Sequence, residues 1–453
     1  MAVTAAIATL VLSSFPLSAR AQAVVEDQWV EQEYPQSLRF HLRASADQEI
    51  VEAVLRYEVV GRGTSAFARV EELQPASQVE LEVVVETNTG NSYIPVGSRF
   101  RYHWELGLAD GGTVSGPEEA FVYLPPDRDW QTVENDVIRV FYYGDREGLA
   151  RAYLDAGSET YERLARDLFG IELPVLPVHV VLFATESELE EARPGRGTAF
   201  DAAVVTCGTK VASDVVLVIP AACGTGDRTD TLRHELAHII NEAAGEGPLG
   251  KLPSWLDEGV AVLAQSEPGA NYVGAFEAAA RVGRLIPFAE MGTPPNDVRQ
   301  VDLFYGQAYA MVRFLIDEFG EEALAELFAT IKGGQRFDRA LESVYGMTLQ
   351  EFEDRFLAAY SAGAPTPTPT PAERRAVPTP TAPARRELVT TADEGEEFDP
   401  ILVGAFGLGL LFLLLAAFFT LFGMWSRARA AEAAATPSEE DRWRRPPSEP
   451  GTS

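Results

Sequence analysis

The chain has 453 residues, 46% of them hydrophobic, enough for two or three domains with sizeable cores. Its 68 acidic against 37 basic side chains give a formal charge of −31. That balance argues against nucleic acid or an anionic lipid surface as the main partner, and no phosphate loop or dinucleotide fingerprint is present.

Residues 1–23 read as a secretory leader, with an apolar run from Ala2 to Leu12 and Ala19-Arg20-Ala21 as the cleavage site. The first positive residue is Arg20, so the usual basic start is missing; cleavage is favoured over an uncleaved anchor. Residues 24–126 carry short alternating runs at Ser37–Leu42, Ile50–Val60, Val79–Glu86, Phe100–Leu108 and Glu119–Leu124. Turn signals such as Asn88-Thr89-Gly90-Asn91 and Ala109-Asp110-Gly111-Gly112 separate them, which predicts an all-β sandwich of immunoglobulin or fibronectin type. His41 and His103 fall in these strands and read as structural. For this domain, spacer and protein-binding module fit equally well.

From Trp130 the pattern changes, and residues 127–361 form the next domain. Strands are expected at Asp136–Tyr143, Val178–Phe183 and 214–219, with a long amphipathic helix over Gly148–Phe169. Helices follow near 229–243, from Ser254, and near 303–319, 321–332, 336–344 and 348–360. Strands followed by helices imply an α+β domain, and no internal repeat is evident.

Within it lies His234-Glu235-Leu236-Ala237-His238. Two histidines four apart share a helix face, so both imidazoles can reach one metal ion, with Glu235 beside it as a base for water. A catalytic zinc site wants three protein ligands and an open position; Glu258, in Trp255-Leu256-Asp257-Glu258-Gly259, is the obvious third. The plainer reading of Glu258 is a solvated acid at a helix start. Glu242 competes poorly, because ligands at i, i+4 and i+8 span about 12 Å of helix axis. Thr229 or Asp230 is expected to cap the first helix. Ser254 and Asp257 have capping-box spacing, and Asp257 either caps the second helix or orients a ligand histidine. Cys207 and Cys223 are the only cysteines; an oxidising compartment permits a bridge between them, and two buried thiols are the alternative.

HELAH followed by WLDEGVA resembles the gluzincins, the zinc metallopeptidases in which a glutamate on a second helix completes the site. Over roughly residues 130–361 the chain is similar to the bacterial peptidase MA-like domain, a branch related to the zinc aminopeptidases. The resemblance implies a thermolysin-like fold, a small twisted sheet on the active-site helix followed by a helical lobe. It implies one Zn2+ per chain held by His234, His238 and Glu258, with Glu235 as general base. Tyr305, at the head of Tyr305-Gly306-Gln307-Ala308, inherits the role of hydrogen-bond donor to the oxyanion. Tyr309 is the fallback, and a packed core residue is the alternative for either tyrosine. The Gly-x-Met-Glu-Asn segment with which the aminopeptidases hold a free amine is missing. Exopeptidase action is therefore unsupported, and the apolar strand at 214–219 is expected to offer its edge to an extended peptide.

Residues 362–399 form a Pro/Thr-rich stalk, followed by a membrane-spanning segment at 400–425 and a disordered tail at 426–453. Ile401–Met424 is apolar and free of charge; acidic Asp393–Glu397 precedes it and Arg427 and Arg429 follow. The bias puts the C-terminus in the cytoplasm and the catalytic domain outside the cell membrane. The sequence thus predicts a single-pass, membrane-anchored zinc metallopeptidase, an endopeptidase rather than an exopeptidase, acting on a peptide or protein. A non-catalytic surface binding or adhesion protein with a vestigial peptidase domain is the alternative, and a processing factor for membrane-associated proteins is a third reading.

Overall fold

The computed structural model describes residues 23–63, 65–89, 92–194, 207–220, 226–295 and 297–361. The expected leader, stalk, membrane segment and tail, and Cys223, lie outside the described residues, save Ala23, which opens the first strand. Among those described, no helix is long and apolar enough to cross a membrane.

The N-terminal region is β-rich, as expected, but its strands join differently. Strand β1 (Ala23–Glu33) turns back into β2 (Ser37–Val59), a single strand of 23 residues. The two runs expected at 37–42 and 50–60 are therefore one strand. Nothing between them breaks the chain, because Arg43-Ala44-Ser45-Ala46-Asp47-Gln48-Glu49 contains neither glycine nor proline. The first half of β2 pairs with β1 and with β4 (Ala76–Glu86). Its second half pairs with β3 (Ser65–Arg69) and β5 (Arg99–Leu108), which also carries β6 (Thr113–Ser115) and β7 (Glu119–Val122). The register shifts between Ser45 and Ile50, where an irregularity bends a strand. The result is one seven-stranded sheet folded over itself rather than two separate sheets. Leu38, Phe40 and Leu42, on the inward face of the first half, are fully buried. Phe40 meets Tyr102 at 5.0 Å and Phe121 at 6.2 Å from the second half, closing the core. His41 stacks on Trp29 at 4.7 Å, in keeping with a structural role.

The second sheet has the order β11-β12-β10-β9-β8. It comprises β8 (Trp130–Glu134), β9 (Ile138–Tyr143), β10 (Val178–Leu182), β11 (Gly208–Ala212) and β12 (Val215–Val218). The central three strands run parallel, with antiparallel strands at both edges. Strands buried on both faces read as unbroken apolar runs, and Val215-Val216-Leu217-Val218 is one. Val140, Val180 and Val216 face helix α1 (Glu147–Thr160, continued by a wider π-helical turn to Leu168) and helix α3 (Asp230–Gly245). A short α2 (Glu186–Ala192) lies between these helices in sequence.

Phe141, Val181, Val215 and Leu217 point the other way, into the core of the N-terminal domain. That domain is the second cover of the sheet. Arg99 Nη2 donates to the buried Asp214 carboxylate at 3.0 Å, and Arg99 Nη1 to the Leu176 carbonyl at 3.1 Å. His179 Nδ1 lies 2.7 Å from the Gly97 carbonyl, and burial holds that imidazole down at about 4, so it is neutral at pH 7. Gly97 has φ of +90°, and a Cβ there would sit 2.8 Å from a Val181 methyl; only glycine lets the backbone approach so closely.

The helical lobe follows α3: α4 (Ser254–Ala264), α5 (Ala270–Arg281), α6 (Val301–Phe319), α7 (Glu321–Lys332), α8 (Phe337–Tyr345) and α9 (Leu349–Ser361). Thr229 stands at the N-cap position of α3 but makes no capping bond, being turned to Asp227 at 2.8 Å. Asp230 does not cap either. It accepts from the backbone N–H and hydroxyl of Ser266, at 2.7 and 2.8 Å, and so ties the start of α3 to the end of α4.

Candidate metal centre

Helix α3 projects His234 and His238 from one face, their Nε2 atoms 3.2 Å apart. Glu258, in the second turn of α4, brings Oε2 to 3.2 Å from His234 Nε2 and 3.5 Å from His238 Nε2. All three ligand-type atoms lie within 4.8 Å of one another, and the side chains are about 15% exposed. What turns α4 back onto α3 is visible nearby. The fully buried Asn241 donates from Nδ2 to the Asp257 carboxylate at 2.8 Å and to the Asp257 carbonyl at 3.1 Å. Behind Glu258, a Cβ on Gly259 would be 2.5 Å from the Ala308 carbonyl, so the missing side chain lets α6 close against α4.

Of the two roles open to Asp257, the structure has it facing a histidine of the cluster: Oδ2 lies 3.0 Å from His238 Nδ1. The expected capping box is not formed, because Pro253 occupies the cap position, without a side-chain bond, and Asp257 is turned toward Asn241 and His238. Burial disfavours the charged His238 imidazole, but the Glu258 and Asp257 carboxylates outweigh it and hold its pKa well above the usual value. Burial likewise pushes Glu258 up, and the two imidazoles outweigh it, holding that carboxyl far below the usual range. Glu258 Oε2 is buried without a well-formed hydrogen bond among the described residues, although two ring nitrogens flank it. A cation would satisfy all three atoms together. Two imidazole nitrogens and one carboxylate oxygen are a donor set that suits a divalent cation such as zinc.

Glu235 does not join the cluster. Its Oε2 accepts from the backbone N–H of Lys210 in β11 at 2.7 Å. Tyr305 does reach the site: its ring is 6.1 Å from that of His234, and its hydroxyl feels the Glu258 charge. Burial and then the Glu258 charge push its hydroxyl well above the usual value. Tyr309, the fallback, lies instead beside Arg313, Asp317 and Tyr360. Glu242 is paired with Lys210 and takes no part in the cluster. Cys207, just before β11, is disulfide-bonded, and the chain's one other cysteine is Cys223.

The strand expected to offer a free edge does not have one. β12 is paired on both sides, by β10 and β11, and the edge nearest the site belongs to β11. Sequence reasoning missed β11 because Gly208-Thr209-Lys210 carries no apolar alternation. It also missed Tyr272 on α5, which stacks on Tyr305 at 5.2 Å and whose hydroxyl is pushed up to about 12, chiefly by burial. A signal existed: Tyr272, Phe276 and Ala280 recur at helical spacing.

A sheet packed on a helix that carries two histidines, with a carboxylate from the next helix, is the framework anticipated from the two motifs. Residues 163–362 match the peptidase MA superfamily, in agreement with the resemblance carried by HELAH and WLDEGVA. No curated protein matches the chain. Among solved structures, the Br derivative of BhCBM56 is 14% identical, over 21% of this chain and 88% of that one, with a TM-score of 0.16. Catalytically inactive OgpA from Akkermansia muciniphila, in complex with an O-glycopeptide substrate, is 10% identical over 23% of this chain and 30% of that one (TM-score 0.19). A beta-glucuronidase from Parabacteroides merdae is 11% identical over 48% and 27% (TM-score 0.17). At such scores none of the three bears on fold or activity.

Proposed function

We propose that this chain is a zinc-dependent peptide hydrolase, an endopeptidase held to a membrane with its catalytic domain outside the cytoplasm. The observation that carries the reading is the convergence of His234 Nε2, His238 Nε2 and Glu258 Oε2 within 4.8 Å, with Glu235 next to the first of them in sequence. When bound, zinc would lower the pKa of a water at the open position and polarise the substrate carbonyl. Glu235 takes the proton of the attacking water and passes it to the leaving amine. Tyr305, whose hydroxyl is protonated at neutral pH and held there more firmly by burial, donates a hydrogen bond to the oxyanion. Asp257 holds the far nitrogen of His238, fixing which ring nitrogen faces the site. An extended substrate lies along the part of the β11 edge that flanks Lys210, whose N–H is taken by Glu235, and the lack of an amine-binding glutamate segment favours internal cleavage.

Anchoring rests on the charge-free stretch Ile401–Met424 and the basic residues after it. The test compares the full chain with a form ending at residue 399, each as wild type and Glu235→Gln, on a peptide library. Both wild-type forms should carry one zinc and cleave, and only the full chain should remain in carbonate-washed membranes. Glu235→Gln should retain zinc and lose about a hundred- to ten-thousandfold in kcat. Undiminished turnover by that variant, or a wild type that binds no zinc, overturns the hydrolase reading.

A further inference from the structure

The sequence has only three lysines, Lys210, Lys251 and Lys332. Lys332 donates to the Ala243 carbonyl near the C-terminus of α3, and Lys251 pairs with Glu246 just beyond it. Lys210 is the one at the candidate site, and it makes three contacts with that helix. Its N–H donates to Glu235 Oε2 at 2.7 Å, its Nζ to the His238 carbonyl at 3.2 Å, and the same Nζ pairs with the Glu242 carboxylate. In the β11–β12 register Lys210 lies opposite Val216, yet its N–H points to α3 instead of β12. That N–H is therefore on the free edge of the sheet, where an unpaired donor would otherwise face solvent or an added strand. The side chain, 24% exposed, anchors the same residue to the helix backbone at the His238 carbonyl.

We propose that Lys210 is a positioning residue for the reaction. Its edge N–H holds one oxygen of Glu235 and leaves Oε1 to face the water, while its ammonium fixes β11 against α3 at this register. The inference rests on the hydrolase reading, so the experiment has one arm that does not need cleavage.

In that arm, the full chain labelled with [15N]lysine gives three backbone amide signals to follow by hydrogen exchange. The Lys210 amide should exchange about tenfold more slowly in wild type than in Glu235→Ala, the factor expected for one hydrogen bond. Equal rates overturn the contact. In the second arm, Lys210→Met should keep its zinc but lose about 10- to 100-fold in kcat, the usual cost of an orienting partner, with KM changed less. Lys210→Arg should recover part of the loss. The effect of Glu235→Gln should shrink in the Lys210→Met background, because a misplaced base has less to lose. Full activity of Lys210→Met, or strictly additive losses, removes the positioning role. A wild type without zinc or cleavage instead overturns the hydrolase reading, and the exchange arm then decides the contact by itself.

Discussion

Asn241 illustrates how the site is built from residues that are not themselves ligands. Its amide reaches both the carbonyl and the carboxylate of Asp257, and Asp257 in turn faces His238. Truncating it to alanine removes both hydrogen bonds at the junction of α3 and α4, where Asn241 is fully buried. Asn241→Ala should therefore cost about 1–3 kcal/mol in denaturant unfolding and weaken zinc binding about 10- to 100-fold in a competitive chelator titration. The clustering of the candidate ligands was legible in the sequence because HExxH places two of them on one face by helical period alone. Glu258 was legible through its distance from them and through Trp255-Leu256-Asp257. Asn241 and Lys210 were not, since neither belongs to a periodic pattern and each acts across a long sequence separation.

Elements differed in the same way. Helices α6 to α9, with apolar faces sustained over about two and a half turns or more, fell within a few residues of the expected limits. Short elements with polar sequences did not stand out. The seven-residue α2, Glu186-Ser187-Glu188-Leu189-Glu190-Glu191-Ala192, is one. Its start is a true capping box, Thr185 with Glu188, a signal present but unread. Glu188 accepts from the Tyr143 hydroxyl at 2.7 Å, Arg128 at 2.6 Å, and the backbone N–H of Ala184 and Thr185 at 2.9 and 3.0 Å. Burial pushes its carboxyl up, but these donors outweigh burial and hold it at about 2 against the ordinary 4.5. A folded value below the unfolded one means stability that is complete above the unfolded value and lost as pH falls toward about 2. Glu188→Gln should lower the urea midpoint at pH 7, by about 1–3 kcal/mol in free energy, and flatten the decline between pH 4.5 and 2.

At the scale of the molecule, the N-terminal domain changed meaning most between sequence and structure. Its alternating strands were legible, but what lay against them was not, because both partners of an interface look equally apolar in sequence. The apolar run of β12, and that of β10 apart from His179, carried the hint: a strand with no exposed face needs two covers. Asp214, 2% exposed, fastens the second cover through Arg99. Asp214→Asn leaves a guanidinium short of its partner and should cost about 3–5 kcal/mol, measured by denaturant unfolding. A loss below 1 kcal/mol would mean that the ion pair does not hold the cover in place.

The continuity of β2 has a consequence for how this region can come apart. Each half of the folded sheet borrows the same backbone, so neither owns a complete set of neighbours. Peeling β1 and β4 from one end strips Phe40 from the aromatic rings opposite and loosens the layer that backs the candidate catalytic sheet. Strands β1 to β7 should accordingly melt as a single block, and a nick anywhere along that shared ribbon would be felt at both ends.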